Sequence, residues 1–194
     1  MVKSGEPSPL VAAQPEARTQ KVILVGLMGA GKSCIGRRLA SKLGLPFIDS
    51  DTEIEAAAGC SVPEYFEKHG EAAFRDGERA VLRRLLTEPR AVIVATGGGA
   101  FMNRKTRQVI RQNGVSVWLR ADLDLLVRRT SRRDHRPLLK TGNPREILAR
   151  LIDERYPVYA KADLVVDSVD GPPDITVTKV LTTLKNYGVE FERV

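Results

Sequence analysis

Gly26-Leu27-Met28-Gly29-Ala30-Gly31-Lys32-Ser33 constrains the fold more than any other stretch of the chain. It fits the pattern GxxxxGK[ST], and its surroundings are the right ones for it. Val22-Ile23-Leu24-Val25 ends just before it, and Ile35, Leu39 and Leu43 follow at the i, i+4, i+8 spacing of an amphipathic helix. A buried strand, a glycine loop and a helix in this register build a phosphate cradle. Glycines let backbone N–H groups curl round a phosphate without Cβ clashes. The helix N-terminus adds a favourable dipole. In such a loop Lys32 reaches the β- and γ-phosphates, and the Ser33 hydroxyl is the expected Mg²⁺ ligand.

Further apolar runs alternate with helical patterns along the chain. They are Phe47-Ile48, Ala91 to Ala95, Val115 to Leu119 and Leu164-Val165-Val166. Three of the runs, counting the first, are continuous and rich in β-branched residues, as parallel strands covered on both faces are. Phe74, Val81, Leu82 and Leu85 line one side of a second helix. Asp174 is placed to cap a helix running toward Gly188, and Pro144 suits the first turn of another. The alternation predicts a parallel α/β sandwich with right-handed crossovers. With 194 residues the chain has room for one domain, expected over 19–194. Met1 to about Arg18 reads as a disordered tail. It has Pro7, Pro9 and Pro15 but no apolar core of a secretory signal, and Glu6 and Glu16 argue against a transit peptide. Residues 130–143 are polar, basic and glycine-containing, and read as a mobile lid.

Composition narrows the partners. No apolar run approaches the roughly 20 residues of a membrane helix, so no membrane partner is expected. Two cysteines, Cys34 and Cys60, read as reduced thiols of a cytoplasmic protein. The net charge of +7 is concentrated at Arg128, Arg129, Arg132, Arg133, Arg136 and Lys140. No aromatic residues interleave with that segment, which argues against a single-strand nucleic-acid platform. Small anions fit better. A monomer is expected.

Five further elements bear on chemistry. Asp49-Ser50-Asp51 follows the second strand, at the sheet end where open parallel sheets bind ligands. One carboxylate there would hold Mg²⁺ and the other would orient an attacking hydroxyl. The alternative is a polar loop in which Asp51 or Thr52 caps the next helix. Gly97-Gly98-Gly99 follows the third strand, and is either a turn or a close backbone approach to a ligand. Arg75 lies near the edge of the second helix's apolar face, either snorkelling or presenting a fork to a substrate carboxylate. Arg136, in Arg136-Pro137-Leu138-Leu139, would bring positive charge to a phosphoryl group on lid closure. Arg155, in Arg155-Tyr156-Pro157-Val158-Tyr159, is an ion-pair partner or a second anion clamp. His69 reads as a surface residue.

Together, in this order, these pieces closely resemble shikimate kinase, from about Lys21 to Tyr187. The resemblance rests on the glycine loop with the following IGRRLA, on DSD, FR, GGG and RPLL, and on R-x-P-x-Y. It implies a P-loop NTPase-like three-layer sandwich with a five-stranded parallel sheet in the order 2-3-1-4-5 and helices on both faces. It implies that ATP is the co-substrate and that shikimate becomes shikimate 3-phosphate, in aromatic amino-acid biosynthesis. Gly29, Ala30, Gly31, Lys32, Ser33 and Cys34 would hold the ATP phosphates, with Arg129 near the adenine and Arg136 reaching in from the lid. Ser33 would ligate Mg²⁺, supported by Asp49 through water. Asp51 would bind the attacking hydroxyl and act as base, making Asp51, Lys32 and Arg136 the catalytic residues. Arg75 and Arg155 would grip the shikimate carboxylate, and Gly97, Gly98 and Gly99 would bring backbone against it. The substrate-binding helical region would span about 50–87.

Two departures stand out. Cys34 occupies a position where the family usually has threonine, so a hydroxyl near the α-phosphate is lost and a modest change in nucleotide affinity is expected. Asp167 to Pro173 aligns poorly with the family's adenine-flanking loop. The rival readings are another small hydroxy-acid kinase, such as a gluconate kinase, and a regulatory nucleotide-binding module. The first does not predict paired arginines beside a triple glycine. The second is opposed by intact Lys32, Ser33, Asp49 and Asp51.

Overall fold

The unbroken apolar runs become the middle of a single sheet. The computed structural model describes residues 21–131, 142–189 and 191. Strands β1 (Lys21–Val25), β2 (Phe47–Asp49), β3 (Val92–Ala95), β4 (Val115–Arg120) and β5 (Leu164–Asp167) pair in the order β2-β3-β1-β4-β5, every neighbouring pair parallel. β1 and β3 are buried throughout, and β4 is buried except at Arg120. Coverage on both faces is why their sequences do not alternate. The edge strand β5 does alternate, with Val166 buried between exposed Val165 and Asp167.

The crossovers are helical. α1 (Lys32–Leu43) follows β1, and α2 (Ser50–Ala58) and α3 (Val62–Thr87) join β2 to β3. α4 (Arg104–Asn113) leads into β4, α5 (Leu123–Thr130) and α6 (Pro144–Tyr159) precede β5, and α7 (Pro173–Asn186) follows it. α1 packs on α7 and α3 packs on α4, so helices cover both faces. The expected Ile35 and Leu39 stripe of α1 is buried, and Pro144 opens α6 behind an Asn143 cap.

Two local expectations need correction. Asp174 does not cap α7. Pro172 holds the cap position and Pro173 begins the helix, which puts Asp174 inside the first turn. There its carboxylate pairs with Arg38 and Lys42, at 3.2 and 3.3 Å, and ties α7 to α1. The second helix is also longer than its apolar stripe suggested. It starts at a Ser61–Glu64 capping box and bends at Gly70, whose φ of 78° breaks the helical path without a Cβ clash. The tail 1–18, Arg136 and residues 132–141 of the expected lid lie outside the described residues.

Candidate active site

The glycine loop leaves a helix start open. Gly31 holds the N-cap of α1 with φ 100°, offers no side-chain cap, and is followed by no acidic residue in the first turn. The first amides of a helix have no partner within it, and here no side chain substitutes. The loop therefore presents N–H groups and a positive dipole end to an anion. The Lys32 ammonium folds back over it, donating to the carbonyls of Gly26 and Leu27 at 2.8 and 3.0 Å.

Asp49 connects this loop to the next strand end. Its Oδ2 accepts from the Ser33 hydroxyl at 2.6 Å, and its Oδ1 accepts from the Asp51 N–H at 3.2 Å. It is Asp49, not Asp51 or Thr52, that caps α2. The strand geometry stops there, so Asp51 reaches the cleft from the first turn of a helix rather than from an extended continuation. Burial pushes the Asp51 carboxyl up to about 6. Within that net value the Asp49 charge is the second upward cause, the Lys32 ammonium opposes it, and Glu78 and Glu55 add smaller upward pushes.

The glycine triplet after β3 is where the other elements converge. The Gly97 N–H donates to the buried Ser50 hydroxyl at 3.1 Å, which joins it to the end of β2. A Cβ on Gly97 would lie 2.6 Å from Asp51 Oδ1 and 2.9 Å from Glu78 Oε1. One on Gly98 would lie 3.5 Å from an Arg155 guanidinium nitrogen and 3.8 Å from the Met28 amide of the phosphate loop. One on Gly99 would lie 2.5 Å from an Arg75 nitrogen. Each glycine thus makes room for a different functional side chain. Turn and close approach are both realised here, but what comes close is the site's own side chains.

Arg75 is held from several sides. It pairs with Glu78 at 2.9 Å and with Glu71 at 3.4 Å, and its guanidinium lies over the rings of Phe74 and Phe66. Glu78 is only 2% exposed. Burial raises its pKa, and the hydrogen bond and charge of Arg75, with the charge of Arg155, work against that. Glu78 was missed in the sequence, although its signal is there. Phe74, Glu78 and Leu82 share i, i+4, i+8 spacing, so an acid interrupts the apolar stripe.

These groups line one cleft of about 660 Å³. Gly29, Gly31, Lys32, Ser33 and Cys34 form one part of its wall. Asp49 and Asp51, the three glycines, Arg75 and Arg155 form another, and Val62, Phe66 and Phe74 add an apolar surface. Arg129 also lines it, but its hydrogen bonds are structural. It donates to Ser168 Oγ at 2.9 Å and to the Val169 carbonyl at 2.7 Å, and it reaches the Gly29 and Ala30 carbonyls at 3.4 Å. The segment after β5, for which the sequence allowed no assignment, contributes Gly171 and Pro173 to the cleft. Cys34 is an exposed free thiol, and His69 is exposed and packs on the Tyr65 ring.

A parallel sheet in this order, with a glycine loop opening α1 and acids at the end of β2, defines a P-loop phosphotransferase. The shikimate kinase family model matches residues 28–185. A shikimate kinase from Paramagnetospirillum magneticum is 60% identical over 86% of this chain and 85% of its own. The solved structure of a shikimate kinase from Acinetobacter baumannii, in complex with shikimate, has a TM-score of 0.83 at 37% identity and covers 90% of this chain and 97% of its own. The chain belongs to the shikimate kinase family, and is an ATP-dependent enzyme of that family. A gluconokinase from Sinorhizobium meliloti, at 18% identity with a TM-score of 0.56 over 89% of this chain and 95% of its own, shares the fold alone.

Proposed function

We propose that the chain transfers the γ-phosphoryl group of ATP to the 3-hydroxyl of shikimate, and that the cleft described above is where it does so. The observation that carries this reading is the shared cleft: the Lys32 loop, the Asp51 carboxylate and the Arg75 and Arg155 guanidiniums all face one space. A substrate with a carboxylate at one end and a hydroxyl at the other suits that distribution of charge. Two guanidiniums grip the carboxylate, and the Asp51 carboxylate takes a hydrogen bond from the hydroxyl. The apolar wall from Val62, Phe66 and Phe74 faces the ring, and 50–87 is the substrate-binding region.

The loop amides and Lys32 hold the β- and γ-phosphates. Ser33 and Asp49 fit Mg²⁺, since a hydroxyl and a carboxylate oxygen 2.6 Å apart are hard donors of the kind it takes. Among the described residues no three His, Cys, Asp or Glu side chains group to hold a metal alone, and a cation shared with phosphates needs no such group. When bound, Mg²⁺ neutralises charge on the phosphate oxygens. Catalysis by this chain's own residues is then mostly positioning and charge stabilisation, with the Asp51 proton transfer late. A pKa of about 6 leaves Asp51 mainly ionised at neutral pH, as a hydroxyl-orienting base requires.

The test is ADP release by the full chain with Mg-ATP, with and without shikimate, and with gluconate in its place. Release that depends on shikimate supports the proposal. Equal release with gluconate, or none with either acid, overturns it.

A further inference from the structure

Tyr159 is one of the largest side chains in the protein with no solvent exposure, and its hydroxyl is not buried idly. It donates to the carbonyl of Gly98, the middle glycine of the triplet, 61 residues away in sequence. Arg155 stands one helical turn earlier on α6, a guanidinium nitrogen 3.5 Å from where a Gly98 Cβ would be, and its charge acts on the phenol. Burial pushes the phenol's pKa up and Arg155 only partly offsets this, so the hydroxyl keeps its proton and remains a donor.

The surroundings give this contact a direction. Gly98 is the glycine whose free face receives Arg155, and it is also the one beside the phosphate loop, 3.8 Å from the Gly26 carbonyl measured from where a Cβ would stand. The charge of Arg155 also reaches Glu78 on α3. Arg155 therefore sits among a phenol, a buried acid and a glycine backbone, and only the phenol belongs to its own helix. The ring cannot drift, because it packs on Trp118 and Phe101.

We infer that Tyr159 is a positioning residue for the substrate carboxylate: its hydroxyl fixes Arg155 against the glycine triplet, setting where the second guanidinium meets the acid. Tyr159 touches no substrate in this arrangement. It acts through Arg155 and Gly98, and the inference rests on the proposed function for its substrate.

The neighbouring Tyr156 provides the control. It lies on the same helix, packs on the same Trp118, and donates its hydroxyl to a backbone carbonyl, that of Ala121, away from the glycine triplet. Tyr156→Phe and Tyr159→Phe each remove one phenol-to-carbonyl hydrogen bond. A merely structural role predicts that both lower thermal stability and leave substrate affinities alone. The positioning role predicts that Tyr159→Phe raises the KM for shikimate about tenfold, the upper end of what one lost hydrogen bond costs. The KM for ATP should stay within about twofold, and Tyr156→Phe should move neither. Should Tyr159→Phe not fold, 4-fluorophenylalanine at 159 fills the hydroxyl's space without donating, and the same shikimate-specific rise is expected. A variant at 159 with unchanged KM for shikimate, or with both KM values raised alike, overturns the inference while leaving the proposed function standing. Lack of shikimate-dependent ADP release by the unaltered chain overturns the proposed function and this inference with it.

Discussion

Asp51 shows how one side chain carries opposite consequences for stability and chemistry. Its ordinary pKa of 3.8 is raised to about 6 by burial and by Asp49. A carboxyl with a raised folded-state pKa favours folding when protonated. Its contribution is fully present below 3.8 and is lost as pH rises through about 6. At pH 7.5 the ionised group therefore costs about 3 kcal/mol, by the usual conversion of pKa shift to free energy. Asp51→Asn is expected to raise Tm by several degrees at pH 7.5, a gain that shrinks to nothing near pH 4, as thermal melts across pH would show. The same variant should lose turnover by about 10²–10⁴-fold with ATP affinity kept, the usual range for removing a general base. Glu78 tunes this group. Glu78→Gln removes one negative charge that pushes Asp51 upward, so the acid limb of kcat/KM for shikimate should move to lower pH. It also takes the 2.9 Å partner from Arg75, so the KM for shikimate should rise. An acid limb that stays put in the pH profile would dissociate Glu78 from Asp51.

At the scale of elements, the strand–loop–helix at Gly26–Ser33 was readable because every part of it is local. The apolar run, the glycines and the helical stripe lie within some twenty residues of one another. The Asp49-Ser50-Asp51 element was half readable. Its place at a strand end was clear, but which carboxylate capped α2 depended on where the strand stopped, and a hydrophobic pattern marks such ends poorly. The glycine triplet was least readable. Its glycines answer to Asp51 on α2, Glu78 and Arg75 on α3, and Arg155 on α6, and no sequence spacing encodes those approaches. The structure separates the three positions into distinct predictions. Gly97→Ala forces a Cβ to 2.6 Å from Asp51 Oδ1 and should mainly lower kcat. Gly99→Ala drives one to 2.5 Å from Arg75 and should mainly raise the KM for shikimate. Gly98→Ala meets Arg155 at 3.5 Å, ordinary contact, and should be the mildest of the three. Steady-state kinetics on the three variants test that order, and a Gly98→Ala defect larger than the other two would contradict it.

At the scale of the molecule, the strand order explains why residues so distant in sequence share a cleft. β1 is flanked by β3 and β4, and β2 lies beyond β3, so the carboxyl ends of β1, β2 and β3 deliver the phosphate loop, the two acids and the glycines side by side. The alternation of apolar runs and helices predicted a parallel sheet, and the strand order came with the family resemblance. Arg155 and Tyr159 come from α6, which packs against Ala100–Met102 just after the glycine triplet. A ligand filling the cleft therefore bridges elements drawn from most of the chain, and binding should be felt as global stabilisation. For a single site, ligand at a hundred times its Kd adds about 2.7 kcal/mol, which for a chain of this size is a rise of roughly 5–10 °C in Tm. Shikimate alone should produce such a shift in the unaltered chain at that degree of saturation. Arg75→Ala should abolish it at the same shikimate concentration while leaving the shift from Mg-ADP intact, because the nucleotide loop hangs from β1 and α1 and not from α3. Loss of both shifts in Arg75→Ala would mean that α3 supports the whole cleft, and retention of the shikimate shift would remove Arg75 from the carboxylate clamp.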